Sequence, residues 1–221
     1  MALDSERNAP AALPSIIRVA EVPAPADPAP LGLAAFALTT FLLSAQNANW
    51  TKGTAPFVGF AFAYGGLCQL LAGMWEFRNR NVFGATAFST YGGFWIGLAL
   101  YVELVAPGAK TVVQVHNDEA WILLAFLIFN TYMLLSSTGV NVAVFGVFLT
   151  LEVTEILLVI ANFRNSTGLA HWGGYLGVVT AAVAWYTSAA GVLNGMRGRP
   201  VLFVGKPMLR PVRDLELGDG V

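Results

Sequence analysis

The chain alternates long apolar runs with short polar breaks. Apolar runs extend from Leu31 to Gln46, Pro56 to Trp75, Gly84 to Leu100, Trp121 to Ser137, Val140 to Ile160 and Gly173 to Leu193, each 16 to 21 residues long. Roughly 20 apolar residues carry a helix across a bilayer core. Only Glu152 and Glu155 bear charge within the six runs. The outer helices of a water-soluble bundle need a polar face, and a membrane β-barrel shows short alternating segments instead. The pattern therefore predicts an all-α integral membrane protein with six transmembrane helices per subunit. It divides the chain into a Pro-rich flexible N-terminal tail over 1–30, a helical domain over 31–194 and a basic C-terminal tail over 195–221.

Composition agrees with lipid as the solvent. Hydrophobic residues make up 56% of the 221 and charged residues 11%, where soluble domains carry about 25% charged residues. Six of the eleven prolines fall in the first thirty residues, which predicts an extended tail. That segment lacks a basic start, a compact apolar core and a small-residue cleavage site, so the first span itself is expected to target the chain. Cys68, the single cysteine, lies in the second run and reads as a small packing residue.

Lysine and arginine set the orientation. With the N-terminus inside, the inner segments hold Arg7, Arg18, Arg78, Arg80, Arg197, Arg199, Lys206, Arg210 and Arg213, and the outer ones hold Lys52, Lys110 and Arg164. This bias predicts both termini in the cytoplasm and a multi-pass protein of the cell (plasma or inner) membrane. A formal net charge of -1 and the lack of a basic-aromatic stripe point to no nucleic-acid partner.

Little in the sequence supports enzyme chemistry. The two histidines, His116 and His171, are far apart, and His116 with Asp118 and Glu119 reads as a solvated stretch of the longest connection, "VELVAPGAKTVVQVHNDEA", rather than a metal site. There is no phosphate loop, dinucleotide fingerprint or metal-ligand repeat. The expectation is a protein that is not an enzyme and needs no cofactor or metal.

The informative residues lie inside the spans. Gly93 with Gly97, and Gly173 with Gly177 and Ala181, recur every four residues and predict helix faces smooth enough for close packing in lipid. Gly59, Phe62, Gly66, Gln69, Gly73 and Glu76 follow at spacings of three and four, which places an intramembrane amide and a helix-end carboxyl on one face. Such an amide must find partners and so faces protein or a water-filled path. Tyr91 shares a face with Phe88, Phe94 and Trp95. It either gates a path with its hydroxyl offered to an anion, or forms an interhelical hydrogen bond.

The segment "DPAPLGL", residues Asp27, Pro28, Ala29, Pro30, Leu31, Gly32 and Leu33, resembles the opening motif of the acetate uptake transporters, or succinate-acetate permeases, with Asp in place of Asn. A second block of that family is matched by Gly65, Gly66, Gln69, Ala72, Gly73, Glu76, Asn81, Phe83, Gly84, Thr86, Phe88, Tyr91, Phe94 and Trp95, with departures at Val82 and Thr90. A third, looser block is met by His171, Gly174, Gly177, Tyr186 and Asn194. The resemblance covers about Asp27 to Asn194. It implies a homohexamer with a pathway inside each protomer for acetate and, in some members, succinate. It also implies a constriction at Phe36, Tyr91 and Leu151.

Elementary chemistry gives these positions work to do. Phe36, Thr39, Thr40 and Leu43 follow i, i+3, i+4, i+7, so an apolar neck is flanked by hydroxyls. A small carboxylate has a methyl end that tolerates such a neck and an oxygen end that seeks donors, which a helix start at "PAPLG" supplies. Thr39, Thr40, Gln69 and Asn162 are the candidate polar lining of the pathway. Leu151, Glu155, Leu158 and Asn162 share a face, which sets Glu155 beside the neck. An unpaired charge at that depth costs about 2.5–3.5 kcal/mol, so Glu152 and Glu155 either bind protons that move with the anion or tie helices together. Glu76 is a third candidate for proton coupling. The competing functions are a channel for ammonia or another neutral solute, and a membrane sensor of acetate.

Pro28 and Pro30 are expected to hold "DPAP" out of the first helix. Gly32 is expected to let another chain or an anion approach the first-turn N–H groups, and Asp27 to cap the helix.

Overall fold

A computed structural model describes residues 25–53 and 55–209. Most of the predicted N-terminal tail, together with Arg7, Arg18, Arg210 and Arg213 of the orientation argument, lies outside the described residues. Among the described residues six helices are long and apolar enough to span a membrane: α1 (Ala29–Asn47), α2 (Pro56–Arg78), α3 (Val82–Gly108), α4 (Val112–Ser137), α5 (Val142–Phe163) and α6 (Thr167–Arg197). All six predicted spans are present.

The polar breaks between the runs are helix caps. Asn81 accepts from the Gly84 N–H, Thr111 from Gln114, Asn141 from Val144 and Ser166 from Leu169, each satisfying one of the orphan donors of a helix start. The first helix starts earlier than expected. Ala29 is its first residue, with Pro28 at the cap and Pro30 in the first turn, because a first-turn N–H has no intrahelical partner and its loss at proline is harmless. Asp27 Oδ1 accepts from the Ala29 N–H at 2.9 Å and sits exposed.

Two stretches depart from the sequence reading. The connection after α3 is short: α3 continues through a π-helical segment, Tyr101–Val105, and a 3-10 turn, Ala106–Gly108, and α4 begins at Val112. His116 and Asp118 therefore lie on a helix, and His116 Nδ1 sits 2.7 Å from Asn165 Oδ1 in the α5–α6 turn. The second departure is in α2, where Ala61–Cys68 is π-helical. Its wider turns rotate the face that was expected to begin at Gly59. The buried face reads Phe57, Ala61, Gly65, Gly66, Gln69, Ala72, Gly73 and Glu76, which keeps Gly66, Gln69, Gly73 and Glu76 of the expected set, while Gly59 is exposed.

The six helices form a ring in which the backbones of α1 and α6, α6 and α5, α5 and α4, α3 and α2, and α2 and α1 approach closely, while those of α3 and α4 stand apart and are bridged by side chains such as Phe94 and Phe126, centroids 4.6 Å apart. Small residues set the closest approaches. A Cβ on Gly173 would stand 2.6 Å from Leu158 Cδ2, and one on Gly174 or Gly177 would strike the Ala48 amide or the Ser44 hydroxyl of α1. The predicted α6 stripe is therefore a packing face. The predicted α3 stripe meets nothing within the protomer: Gly93 and Gly97 are exposed with nothing within 4 Å. Its neighbour Gly92 does the packing, 2.7 Å from the Leu70 amide nitrogen measured from its would-be Cβ.

Helix α6 ends at Gly198, left-handed at φ 60, the usual glycine solution for a helix C-terminus. The chain after it folds back as a strap. Asn194 Oδ1 accepts from the Val201 and Leu202 N–H groups at 2.6 and 2.9 Å, and its amide donates to Leu202 O. Tyr186 donates to Phe203 O, Ala143 N–H to Val204 O, and Met208 N–H to Thr138 O. Asn194→Ala removes three of these bonds, each worth about 0.5–1.5 kcal/mol net. Backbone amide exchange at Val201 and Leu202 should then accelerate by at least about tenfold, while exchange in the middle of α6 stays as it was.

Candidate functional site

The N-terminal halves of α1, α3 and α5 and the C-terminal half of α2 point to the same end of the bundle. Between them lies a cavity of about 80 Å³, well above the roughly 10–15 Å³ that admits a single water. Its walls are almost entirely apolar. Ala29, Leu33 and Phe36 come from α1, Phe88 and Tyr91 from α3, and Val144, Phe148 and Leu151 from α5. Three further polar residues line it: Gln69 and Glu76 from α2, and Asn81 from the cap of α3.

Phe36, Tyr91 and Leu151 stand together at its deep end, each no more than 7% exposed. Phe36 and Tyr91 meet edge to face, centroids 5.7 Å apart at 61°, the arrangement that ring quadrupoles favour. Phe129 and Phe148 pack around Tyr91 with centroids at 5.3 and 6.4 Å. The Tyr91 hydroxyl does not point into the cavity's polar end. It donates to Asn130 Oδ1 of α4 at 2.8 Å, so of the two readings open for this tyrosine the interhelical hydrogen bond is the one found.

Of the two α2 residues Glu76 lies nearer the mouth, beside Gly84, and Gln69 lies at about the depth of Tyr91, where Gly92 packs on Leu70. Both are fully buried, at 1% and 0% exposure; Gln69 Oε1 has no hydrogen-bond partner, and the Glu76 carboxyl has only the Asn81 and Asn79 side chains as polar neighbours. The other two glutamates stand elsewhere. Glu152 accepts from Asn130 Nδ2 at 2.6 Å and Thr131 Oγ1 at 2.8 Å. Glu155 is buried one turn beyond Leu151, its Oε2 unpartnered, and does not line the cavity.

Three residues expected along the pathway lie off this cavity. Thr39 turns toward α2, where its hydroxyl donates to Ala35 O and its side chain fills the space beside Gly65. Thr40 is buried one turn past Phe36, beyond the closed end, and Asn162 is half-buried at the far end of α5. Gly32 also differs from expectation. The Phe88 ring of α3 covers it, 2.6 Å from a would-be Cβ, so that face of the first turn is occupied by the protein itself.

With this geometry in hand the chain can be set beside known proteins. The profile described as the GPR1/FUN34/yaaH family matches residues 12–199. The chain belongs to the GPR1/FUN34/yaaH family. Among its relatives, Acetate permease A of Emericella nidulans is 40% identical over 197 residues, covering 82% of this chain and 66% of the relative. Ammonia transport outward protein 2 of Saccharomyces cerevisiae is 41% identical over 173 residues, 76% of this chain and 61% of the relative. The chain thus spans less than two thirds of these fungal relatives. The Succinate-acetate/proton symporter SatP of Escherichia coli is 34% identical over 187 residues, 82% of this chain and 96% of the relative. The solved structure of the bacterial acetate channel SatP superposes with a TM-score of 0.77 at 31% identity, covering 82% of this chain and 99% of that one. This family member is therefore a multi-pass membrane protein with the six-helix fold of that channel.

Sequence reasoning missed Asn130. It is the lone amide of the α4 run and fully buried, so the rule that singled out Gln69, that an intramembrane amide must find partners, applies to it equally.

The polar end of the cavity is open to a direct test at Gly84, where a Cβ would stand 2.6 Å from Glu76 Oε1 and 2.7 Å from Asn81 Nδ2. Alanine is the better helix former by about 1 kcal/mol, yet Gly84→Ala should destabilise by about 1–3 kcal/mol through crowding. Gly93→Ala, facing open space, should be neutral or stabilising. Thermal melting of the two variants in one detergent separates them.

Proposed function

We propose that this chain moves acetate and related short carboxylates, succinate among them, across the cell membrane through a pathway inside each protomer narrowed by Phe36, Tyr91 and Leu151. The observation that carries the reading is the convergence of those three apolar side chains, from three helices, at the deep end of a cavity open toward helix N-termini. The positive ends of α1, α3 and α5 favour an anion at the mouth. A methyl group tolerates the neck that follows, while a hydrated inorganic ion must shed water to enter it. The names of the relatives, an acetate permease and a succinate-acetate/proton symporter, support the same cargo. Nothing in this site resembles a nucleophile with its base, so the reading is transport and not catalysis.

Proton coupling is assigned to Glu76 in this proposal. It is the acidic residue in the cavity wall, fully buried with only the side chains of Asn81 and Asn79 as polar neighbours, and the charged group that faces it is Asp27, another carboxylate, at the mouth. An ionised Glu76 would repel an incoming carboxylate, and one proton shared between the two removes the repulsion. Glu152, held by Asn130 and Thr131, and Glu155, outside the cavity, are less suited to meet the cargo. Assembly as a homohexamer, implied by the family resemblance, is supported by the exposed small-residue face at Gly93 and Gly97, which fits close helix packing between subunits.

Labelled acetate flux into proteoliposomes tests the reading. An inward proton gradient should raise acetate uptake at least about fivefold, the low end of usual coupling, and unlabelled succinate should compete. Glu76→Gln should remove the effect of the gradient and retain acetate exchange at equal pH. Flux that no carboxylate competes with would overturn the proposal. Competition by ammonium instead would favour the ammonia reading, and saturable binding without flux would favour a sensor.

A further inference from the structure

The tyrosine of the neck is tied into a hydrogen-bonded chain that runs sideways out of the cavity. Tyr91 Oη donates to Asn130 Oδ1 at 2.8 Å, Asn130 Nδ2 donates to Glu152 Oε2 at 2.6 Å and to Phe148 O at 3.2 Å, and Thr131 Oγ1 donates to Glu152 Oε1 at 2.8 Å. The Asn130 amide can stand only one way round. Turning it over would set its NH₂ group against the tyrosine hydroxyl and its oxygen against a carboxylate and a carbonyl, replacing two good bonds with two repulsions. The direction of the first bond follows, because Asn130 Oδ1 is an acceptor and the hydroxyl must give it the proton.

Three consequences bear on the neck. The α3 and α4 backbones stand apart and side chains bridge them, the Phe94–Phe126 and Tyr91–Phe129 contacts among them, so this bond and those ring contacts fix where Tyr91 stands relative to α4. The Phe148 carbonyl belongs to the same helix as Leu151, so one amide holds the tyrosine of the constriction against the helix that carries its leucine. With its proton committed to Asn130, Tyr91 offers Phe36 and Leu151 a ring rather than a donor, and the constriction stays apolar.

We propose that Asn130, anchored by Glu152, is a positioning residue that sets the bore and the apolar character of the constriction by holding Tyr91. The claim rests on the transport reading above for its functional meaning, and on the hydrogen-bond geometry alone for the tether. Asn130→Leu frees the hydroxyl to turn toward the cavity and lets the ring swing. Pivalate, whose branched end is wider than the linear chains of acetate and succinate, should then gain relative to acetate.

The test is the ratio of pivalate to acetate flux in proteoliposomes of the full chain. Asn130→Leu should raise the ratio by about two- to tenfold, the range set by one net hydrogen bond. Tyr91→Phe should raise it similarly, and Tyr91→Phe with Asn130→Leu should do no more than Tyr91→Phe alone, since the tether acts through the hydroxyl. Glu152→Gln keeps an oxygen for Asn130 and should preserve the wild-type ratio, whereas Glu152→Leu should raise it. A purely structural role would lower both fluxes together and leave the ratio unchanged, and that outcome, or additive effects of the two single changes, overturns the proposal. If wild type carries no acetate flux, the transport reading fails. The tether is then judged by melting temperatures of the same four proteins in detergent, where additivity of the Tyr91→Phe and Asn130→Leu shifts rejects it and non-additivity sustains it. Should Asn130→Leu fail to fold, the Glu152→Gln and Glu152→Leu pair decides by the same ratio.

Discussion

Close backbone approach in lipid is the constraint from which this structure grows. Lipid tails are as apolar as leucine, so helices gain nothing by hiding apolar surface from one another and associate through packing and interhelical hydrogen bonds. Gly174 and Gly177 let α6 lie on the C-terminal half of α1, Gly65 receives Thr39, and Gly32 accepts the face of Phe88. These contacts fix α1 between α6 and α2 and bring α3 across its first turns. Phe36 is thereby delivered to Tyr91, and the cavity is the space left where side chains, not backbones, bridge α1 and α3 to α5.

Within that frame the aromatic cluster and the polar chain have separate tasks. Phe36, Phe129 and Phe148 surround the Tyr91 ring at edge-to-face or tilted angles, each contact contributing on the order of 1 kcal/mol beyond burial. Such contacts hold a ring in a neighbourhood but leave its tip free to slide. The hydrogen bond to Asn130 fixes the tip. Glu152 in turn spends its acceptors on Asn130 and Thr131, which answers why a carboxyl is tolerated in the middle of a span: at least two donors meet it there.

Much of this was legible from residue spacing, and the failures have identifiable physics. The six spans, the meeting of Phe36, Tyr91 and Leu151 at one cavity, and the placement of Gln69 and Glu76 on one wall follow from apolar runs, motif matches and helical periodicity. Periodicity failed where the helix was not α-helical: eight residues of π-helix in α2 turned Gly59 out to the surface. For Gly93 and Gly97 the glycine rule identifies a smooth face without saying what covers it, and within one protomer nothing does. Polarity misled at the α3–α4 connection. Charged residues past the bilayer read as loop, yet a helix continues into water as readily as through lipid once Thr111 caps it.

Asp27 shows how a single substitution within a motif is absorbed. Its carboxylate lies exposed at the mouth and accepts from the Ala29 N–H, a bond that asparagine makes equally well through its own side-chain oxygen. The cap is thus indifferent to the exchange, and the charge is the only difference. Exposed to water, that charge is screened over about 8 Å at physiological ionic strength, whereas the dipoles of α1, α3 and α5 act inside the low-dielectric cavity where screening is weak. A negative charge outside the mouth and positive helix ends within it are therefore compatible. On the transport reading the mouth would slow the approach of an anion slightly, and the interior, where Phe36, Tyr91 and Leu151 meet, keeps the same field with either residue.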